Sequence, residues 1–193
     1  AGVCAFKIEG RLKTPEYVAN ITRHYRQAID TVLAGQPVQF TPRDVEEMEL
    51  SFSRGFSHGW LDGCDHKLLV PATSSAKRGG RLGQVRNVRR GRVTVELTAA
   101  ARRGDGIVFA GNRAENDEQG GRVFEIFAGG RAVDEAAAGD LVELAFGRDA
   151  IDLGRLYRGQ QIWKTDDPQL TRRLRRTFEG DKPQRRTMVD LEI

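Results

Sequence analysis

The sequence predicts a composite fold: an α/β remnant made of one strand-to-helix unit, then a small all-β barrel, then a terminal basic helix. Three observations predict it. The first thirty residues switch from strand-like alternation to helical spacing. The chain after residue 80 breaks into short alternating segments between glycine turns. Finally, Asp167-Pro168 opens a run dense in arginine.

In chain order, Val3 to Glu9 reads as a strand, with Cys4, Phe6 and Ile8 on one face and Lys7, Glu9 and Arg11 on the other. Thr14-Pro15-Glu16 is a helix start: a hydroxyl N-cap, proline at the first helical position and an acid near the positive helix end. Val18, Ile21, Tyr25, Ala28, Ile29 and Val32 follow at helical spacing and predict a buried stripe, closed by Gly35. Such units belong to parallel sheets or α/β barrels. One unit alone cannot bury both faces of its strand, and the chain does not begin with methionine. The expectation is the tail of a larger α/β domain, whose upstream barrel is then a partner of this segment.

Residues 42–54 predict a second helix, with Pro42 at its start, Asp44, Glu46, Glu47 and Glu49 polar, and Val45, Met48, Leu50 and Phe52 apolar. FSRGFSHGWLDG, residues 52–63, is turn chemistry, and SSAKRGG, residues 74–80, marks a domain boundary. Strands are expected near Leu82–Val88, Arg92–Leu97, Gly106–Phe109, Arg122–Ala128, Leu141–Ala145 and Gln161–Lys164, with Gly-Asp before two of them. That spacing predicts a small β-barrel. A basic helix over Gln169–Phe178 follows, and residues 184–193 read as the first strand of another module. The expected division is 1–73, the end of the α/β domain with its following helix and loop; 74–166, the barrel; and 167–193, the basic helix with the start of the next module.

With 39% hydrophobic and 30% charged residues, the composition is that of an ordinary globular protein. No apolar run approaches the roughly 20 residues that cross a bilayer, so no membrane partner is expected. Cys4 and Cys64 are too few for a disulfide framework, and the cytoplasm is the expected compartment. The net charge of +4, carried mainly by arginine, permits an anionic partner, RNA or DNA first. A coding bias that turns surface lysine into arginine would give the same balance.

Lys7, Glu9 and Arg11 are the candidate catalytic residues. Charges at alternate positions of one strand need water, partners or a ligand, and the mouth of an α/β barrel is lined by strand ends. Arg11 or Lys7 could clamp a carboxylate or phosphate, with Glu9 holding one of them in place; a structural ion-pair ladder is the plainer alternative. Cys4 is the candidate cofactor ligand, although a four-thiolate cluster needs three more cysteines and this chain adds Cys64 alone. Asp62, Cys64, Asp65 and His66 crowd one glycine turn with no distant second pair, so a solvated loop is expected there and no metal site. His24 and His58 belong to no legible catalytic constellation, and HExxH is absent. Arg54, with Phe56 and Trp60 nearby, could stack bases or anchor one domain on another. Arg54, Arg78, Arg81, Arg89 and Arg90, together with Arg172, Arg173, Arg175 and Arg176, are the candidate RNA contacts, read by backbone and shape.

The run KIEGRLKTPEYVANITRHYRQAID, residues 7–30, resembles the end of the catalytic barrel in the peptidase U32 family, and FSRGFSHGWL resembles the family's next block. LGQVRNVRRGRVTVEL, RRGDGIVF and QIWKTDDPQL resemble the domain that follows in its longer, collagenase-like branch. The resemblance covers nearly the whole chain and implies a C-terminal fragment. It implies a parent enzyme in a family named for collagenase-type peptidases, whose members include RNA hydroxylation proteins making 5-hydroxycytidine in large-subunit rRNA or 5-hydroxyuridine in tRNA. Related members bind an iron–sulfur cluster through four cysteines, and that signature lies upstream of KIEGR. The expected function is therefore RNA base hydroxylation by the full-length parent, the fragment alone being inactive. The alternatives are proteolysis and a non-catalytic RNA- or ribosome-binding module.

Overall fold

The computed structural model describes residues 4–52, 56, 58, 59, 61, 63, 79–111, 118–180, 188 and 190. Helix α1, Pro15–Leu33, starts as the sequence dictates: Thr14 caps it, its side chain accepting from the Tyr17 amide, and Pro15 opens it. Helix α2 is Pro42–Phe52 and α3 is Pro168–Arg175. The Asp167 carboxylate caps α3, accepting from the Gln169 and Leu170 amides at 2.8 and 3.0 Å.

Among the described residues, nine strands lie between α2 and α3: β1 Gly80–Arg89, β2 Arg92–Leu97, β3 Ala101–Arg102, β4 Gly106–Phe109, β5 Gln119–Ala128, β6 Arg131–Val133, β7 Glu135–Ala136, β8 Leu141–Phe146 and β9 Gln161–Asp166. Six of them run β4-β9-β1-β2-β8-β5, every pair antiparallel, and β5 pairs back to β4. The sheet thus closes into a six-stranded barrel and has no free edge between these strands. β6 extends β5 as a hairpin, and β3 pairs with β7. All six expected strands are present, lengthened by one to three residues at some ends; β3, β6 and β7, two or three residues each, are additional.

Alternation explains the core. In β2, Val93, Val95 and Leu97 are buried while Arg92, Thr94 and Glu96 are less so. Leu82 and Val85, Ile107 and Phe109, Val123 and Ile126, Val142 and Leu144, and Ile162 complete the interior. Each such side chain contributes about 1.5–3 kcal/mol by leaving water. A second, smaller cluster joins the helices: Leu170 and Leu174, one turn apart on α3, pack with Leu50 of α2, and Ala19 of α1 lies against them.

Two expectations are corrected. Residues 4–10 carry no strand pairing among the described residues. A strand exists only when a neighbour satisfies its N–H and C=O groups, and alternation alone provides none. The segment instead meets α1: the Phe6 and Tyr25 rings are 5.6 Å apart, and a tight turn with Leu12 in the left-handed region (φ 59°) leads into the helix. The second correction concerns α1, where Val18, Tyr25 and Val32 of the expected stripe are exposed and the buried residues are polar, Asn20 and His24. The face that meets α2 and α3 is set by hydrogen bonds rather than by the apolar stripe. The expected strand in 184–193 lies outside the described residues, apart from Met188 and Asp190.

Candidate nucleic-acid interface

The expected catalytic trio is placed at the surface. Lys7 and Glu9 form an exposed ion pair at 2.9 Å, and Arg11 and Cys4 are exposed. Lys7 and Glu9 are thus brought together, whereas Arg11 makes no ion pair among the described residues. Cys64, Asp62, Asp65 and His66 lie outside the described residues. No group of three or more His, Cys, Asp or Glu side chains is arranged to hold a metal ion among the described residues. With Cys4 the one cysteine they contain, those residues do not build a four-thiolate cluster.

The arginines divide into two classes. Those of the first class hold the molecule together. Arg173 and Arg175 of α3 reach Glu47 at 2.5 Å and Glu16 at 2.7 Å, so two of the four cations expected to meet RNA join α3 to α2 and α1. Glu16 is held below the usual carboxylate range, chiefly by the Arg175 hydrogen bond. Arg92 reaches Glu143 at 3.0 Å and lies 3.6 Å over the Phe127 ring, a cation–π contact on the barrel wall. Arg86 pairs with Glu96 across β1 and β2. The second class, Arg81, Arg89, Arg90, Arg172 and Arg176, is exposed and forms no ion pair among the described residues. Arg54 and Arg78 lie outside the described residues.

Arg89 ends β1 and Arg90 opens the turn after it. Arg89 is opposite Arg92, and the two residues between them, Arg90 (φ 50°) and Gly91 (φ 75°), both sit in the left-handed region. That is the tight two-residue turn that matches the twist of antiparallel strands. Arg172 and Arg176 share the outer face of α3, away from Leu170 and Leu174.

Two buried charge clusters, both missed from the sequence, fix where these surfaces stand. Glu47 of α2 accepts from Arg23 of α1 (2.8 Å), Arg43 of α2 (3.0 Å) and Arg173 of α3 (2.5 Å). Burial works to raise its pKa, but the Arg173 and Arg43 hydrogen bonds outweigh that and hold it below the usual range. Asn20 donates to the Glu47 carbonyl at 2.8 Å and to Ser51 Oγ at 2.6 Å, tying the same two helices together.

The neighbouring residue, Glu46, turns the other way. It accepts from Lys164 Nζ of β9 at 3.0 Å, and Lys164 is only 2% exposed. Asp105 stands 3.1 Å from the same nitrogen, Asp167 3.9 Å, and the Ala100 carbonyl accepts from it at 2.9 Å. Burial disfavours a charged lysine, but the carboxylates, Asp105 first, reverse that and raise the Lys164 pKa. Burial pushes Asp105 up to about 6, with Lys164 offsetting part of the effect, and its Oδ1 has no hydrogen-bond partner. One sequence signal pointed there: Lys164 is two residues from Ile162, so both face the barrel interior.

The barrel is therefore anchored to the helices at one end and presents unpaired guanidinium groups at other places. No helix among the described residues is long and apolar enough to cross a membrane.

Residues 1–70 match the family model described as Peptidase family U32. The 23S rRNA 5-hydroxycytidine C2501 synthase of Escherichia coli K12 is 34% identical over 118 residues, 55% of this chain and 17% of that protein. A Porphyromonas gingivalis collagenase is 41% identical over 64 residues, 33% of this chain and 18% of the collagenase. The tRNA hydroxylation protein P of E. coli K12 is 42% identical over 60 residues, 31% of this chain and 13% of that protein. The chain thus spans less than a fifth of each of these relatives. The similarity to peptidase family U32 is carried by residues 1–70.

Proposed function

We propose that the protein to which this chain contributes acts in RNA base hydroxylation, forming 5-hydroxycytidine or 5-hydroxyuridine, with the barrel helping to dock the RNA. One observation carries the reading. The match to the rRNA 5-hydroxycytidine synthase takes in 55% of the chain, more than residues 1–70 can supply, so it extends outside the U32 segment. The collagenase match is short enough to fit within that segment.

In this reading the exposed Lys7–Glu9 pair and Arg11 supply charge for an anionic group, phosphate or carboxylate, with Glu9 holding Lys7 in position. The unpaired arginines of the barrel meet RNA phosphates. A collagenase-like peptidase is the second reading, favoured by the 41% identity of the shorter match.

Nucleoside mass spectrometry of rRNA and tRNA, from cells with and without the full-length gene, tests the reading. Loss of 5-hydroxycytidine or 5-hydroxyuridine on deletion is the expected result. Reintroducing the gene with Lys7→Ala or Arg11→Ala should fail to restore the nucleoside. Unchanged nucleosides on deletion would overturn the hydroxylation reading, and full restoration by either variant would remove that residue from the site.

A further inference from the structure

We propose that the end of the barrel remote from the helices is the RNA-docking surface, gripping the phosphate backbone through Arg89, Arg90, Arg148 and Arg158. The inference rests on the RNA reading above and names the part of the molecule that performs the docking.

Topology places these residues, from three separate connections, toward one end of the barrel, with Arg158 beside Val85, four positions before Arg89. β1 and β2 are antiparallel, as are β2 with β8 and β1 with β9. The end of β1, the end of β8 and the start of β9 therefore share one end of the barrel. Arg89 and Arg90 occupy the β1–β2 turn, and Arg148 follows β8. Arg158 precedes Gly159, whose amide donates to the Val85 carbonyl of β1 at 2.8 Å. Gly91 and the loop carrying Arg148 line one cleft of about 570 Å³. The opposite end is closed by α2 through Lys164 and Glu46.

Three features set this end apart. Its four guanidinium groups are exposed and make no ion pair among the described residues, whereas Arg23, Arg43, Arg86, Arg92, Arg102, Arg103, Arg122, Arg173 and Arg175 all meet carboxylates. Arg81, Arg172 and Arg176 are also unpaired among the described residues, but no other described part of the barrel gathers four such groups. The acids on the loop after β8 are Asp149 and Asp152, and Asp152 is engaged in capping the Gly154 amide. Negative charge there is outnumbered.

The second feature is conformational. The β5–β6 hairpin uses Gly129-Gly130, both at positive φ, for its two-residue turn. The β1–β2 hairpin makes the same turn with Arg90 in the left-handed region, where a side chain is disfavoured. Arg90 therefore puts an exposed guanidinium at a hairpin corner where the β5–β6 turn puts none.

Third, Tyr157 is 58% exposed beside Arg158, giving an aromatic face next to a cation. Cations that track a backbone and an aromatic that stacks on a base are the two elements of nucleic-acid grooves. A repeating polyanion fits four dispersed guanidinium groups better than a single small anion would.

The test measures binding of an rRNA or tRNA transcript to the full-length protein over a range of KCl concentrations. Replacing Arg89, Arg90, Arg148 and Arg158 together by Gln should weaken binding about 10- to 100-fold near 100 mM KCl. The slope of log K against log salt should fall by about 3, as four phosphate contacts imply. Replacing Arg172 and Arg176 by Gln is the comparison and should change affinity less than threefold.

A single Arg90→Gly variant guards against misfolding. It relieves the left-handed strain and should raise Tm while weakening RNA binding two- to tenfold. Wild-type protein that binds no RNA would overturn the RNA reading itself. Wild-type binding with an unchanged affinity and slope in the quadruple variant would overturn this inference and leave that reading standing. An equal loss in the α3 variant would also overturn it, as would unchanged RNA binding with a raised Tm in Arg90→Gly.

Discussion

Glu46 and Glu47 are adjacent on α2, yet they enter opposite electrostatic environments. Glu47 is one carboxylate facing three arginines, from α1, α2 and α3. Glu46 is one of three carboxylates, with Asp105 and Asp167, that face a single buried lysine, with Arg102 3.8 Å from Asp167 at the margin. In the first cluster the excess charge is positive, and it is carried by guanidinium groups that are 40–63% exposed and stay hydrated. In the second the excess charge is negative, and Asp105 is 1% exposed with one oxygen left without a partner. The pKa directions follow: Glu47 goes down and Asp105 goes up. Burial alone does not decide the fate of a carboxylate. The count of opposite charges that reach it, and whether those charges keep their water, does.

The largest expected effect comes from removing the lysine. Lys164→Met leaves Glu46 and the buried Asp105 without the cation they share, with Arg102 remaining beside Asp167, and should cost about 3–5 kcal/mol, the range for breaking a buried pair from one side. Urea denaturation of the chain measures it. An unchanged midpoint would mean that the cluster does not hold the barrel to α2.

Glu47→Gln should cost less, about 1–2 kcal/mol, because the abandoned arginines can turn to solvent and hydrogen bonds to the amide remain. A larger loss than that of Lys164→Met would reverse the comparison between the two clusters.

The third effect is read against pH and lies between the other two in size. A carboxyl with a raised folded pKa binds its proton more tightly in the folded state. The stability from Asp105 is therefore fully present below its unfolded value near 3.8 and is lost as pH rises through about 6. Glu47 runs the other way, contributing above its unfolded pKa and losing that contribution as pH falls through its depressed folded value. Asp105→Asn should abolish the first dependence. The stability of the wild type relative to this variant should drop by about 2–3 kcal/mol between pH 4 and pH 6.5, the size of a two-unit shift. A pH-independent difference would show that Asp105 is ionised throughout that range.

Much of the barrel was legible because its signals are local. β2 and β4 have the bounds read from the sequence, Arg92–Leu97 and Gly106–Phe109, since glycine turns flank short alternating runs. Thr14-Pro15 and Asp167-Pro168 announced α1 and α3, because a cap acts within one turn. β3, β6 and β7 left no periodic trace, being two or three residues long. The interface was half legible. Arginine-rich stretches stand out in composition, but which arginines meet a carboxylate depends on residues far away: Arg175 and Glu16 are separated by 159 positions.

The sequence by itself determined the helix starts, the six strands of the barrel, and the resemblance of the KIEGR–PEY run to family U32. Each depends on neighbours within a few residues. Only the tertiary structure decided that α1 meets its neighbours through Asn20 and Arg23 while Val18 and Val32 stay exposed. It also decided that Lys164 sits in a cage of carboxylates, that Arg173 and Arg175 clamp helices, and that Arg89, Arg90, Arg148 and Arg158 share one end of the barrel. The physical reason is range. Caps and alternation act along the chain, whereas the burial and pairing of a charge depend on which distant segments close around it, with Lys164 and Glu46 meeting across 118 residues.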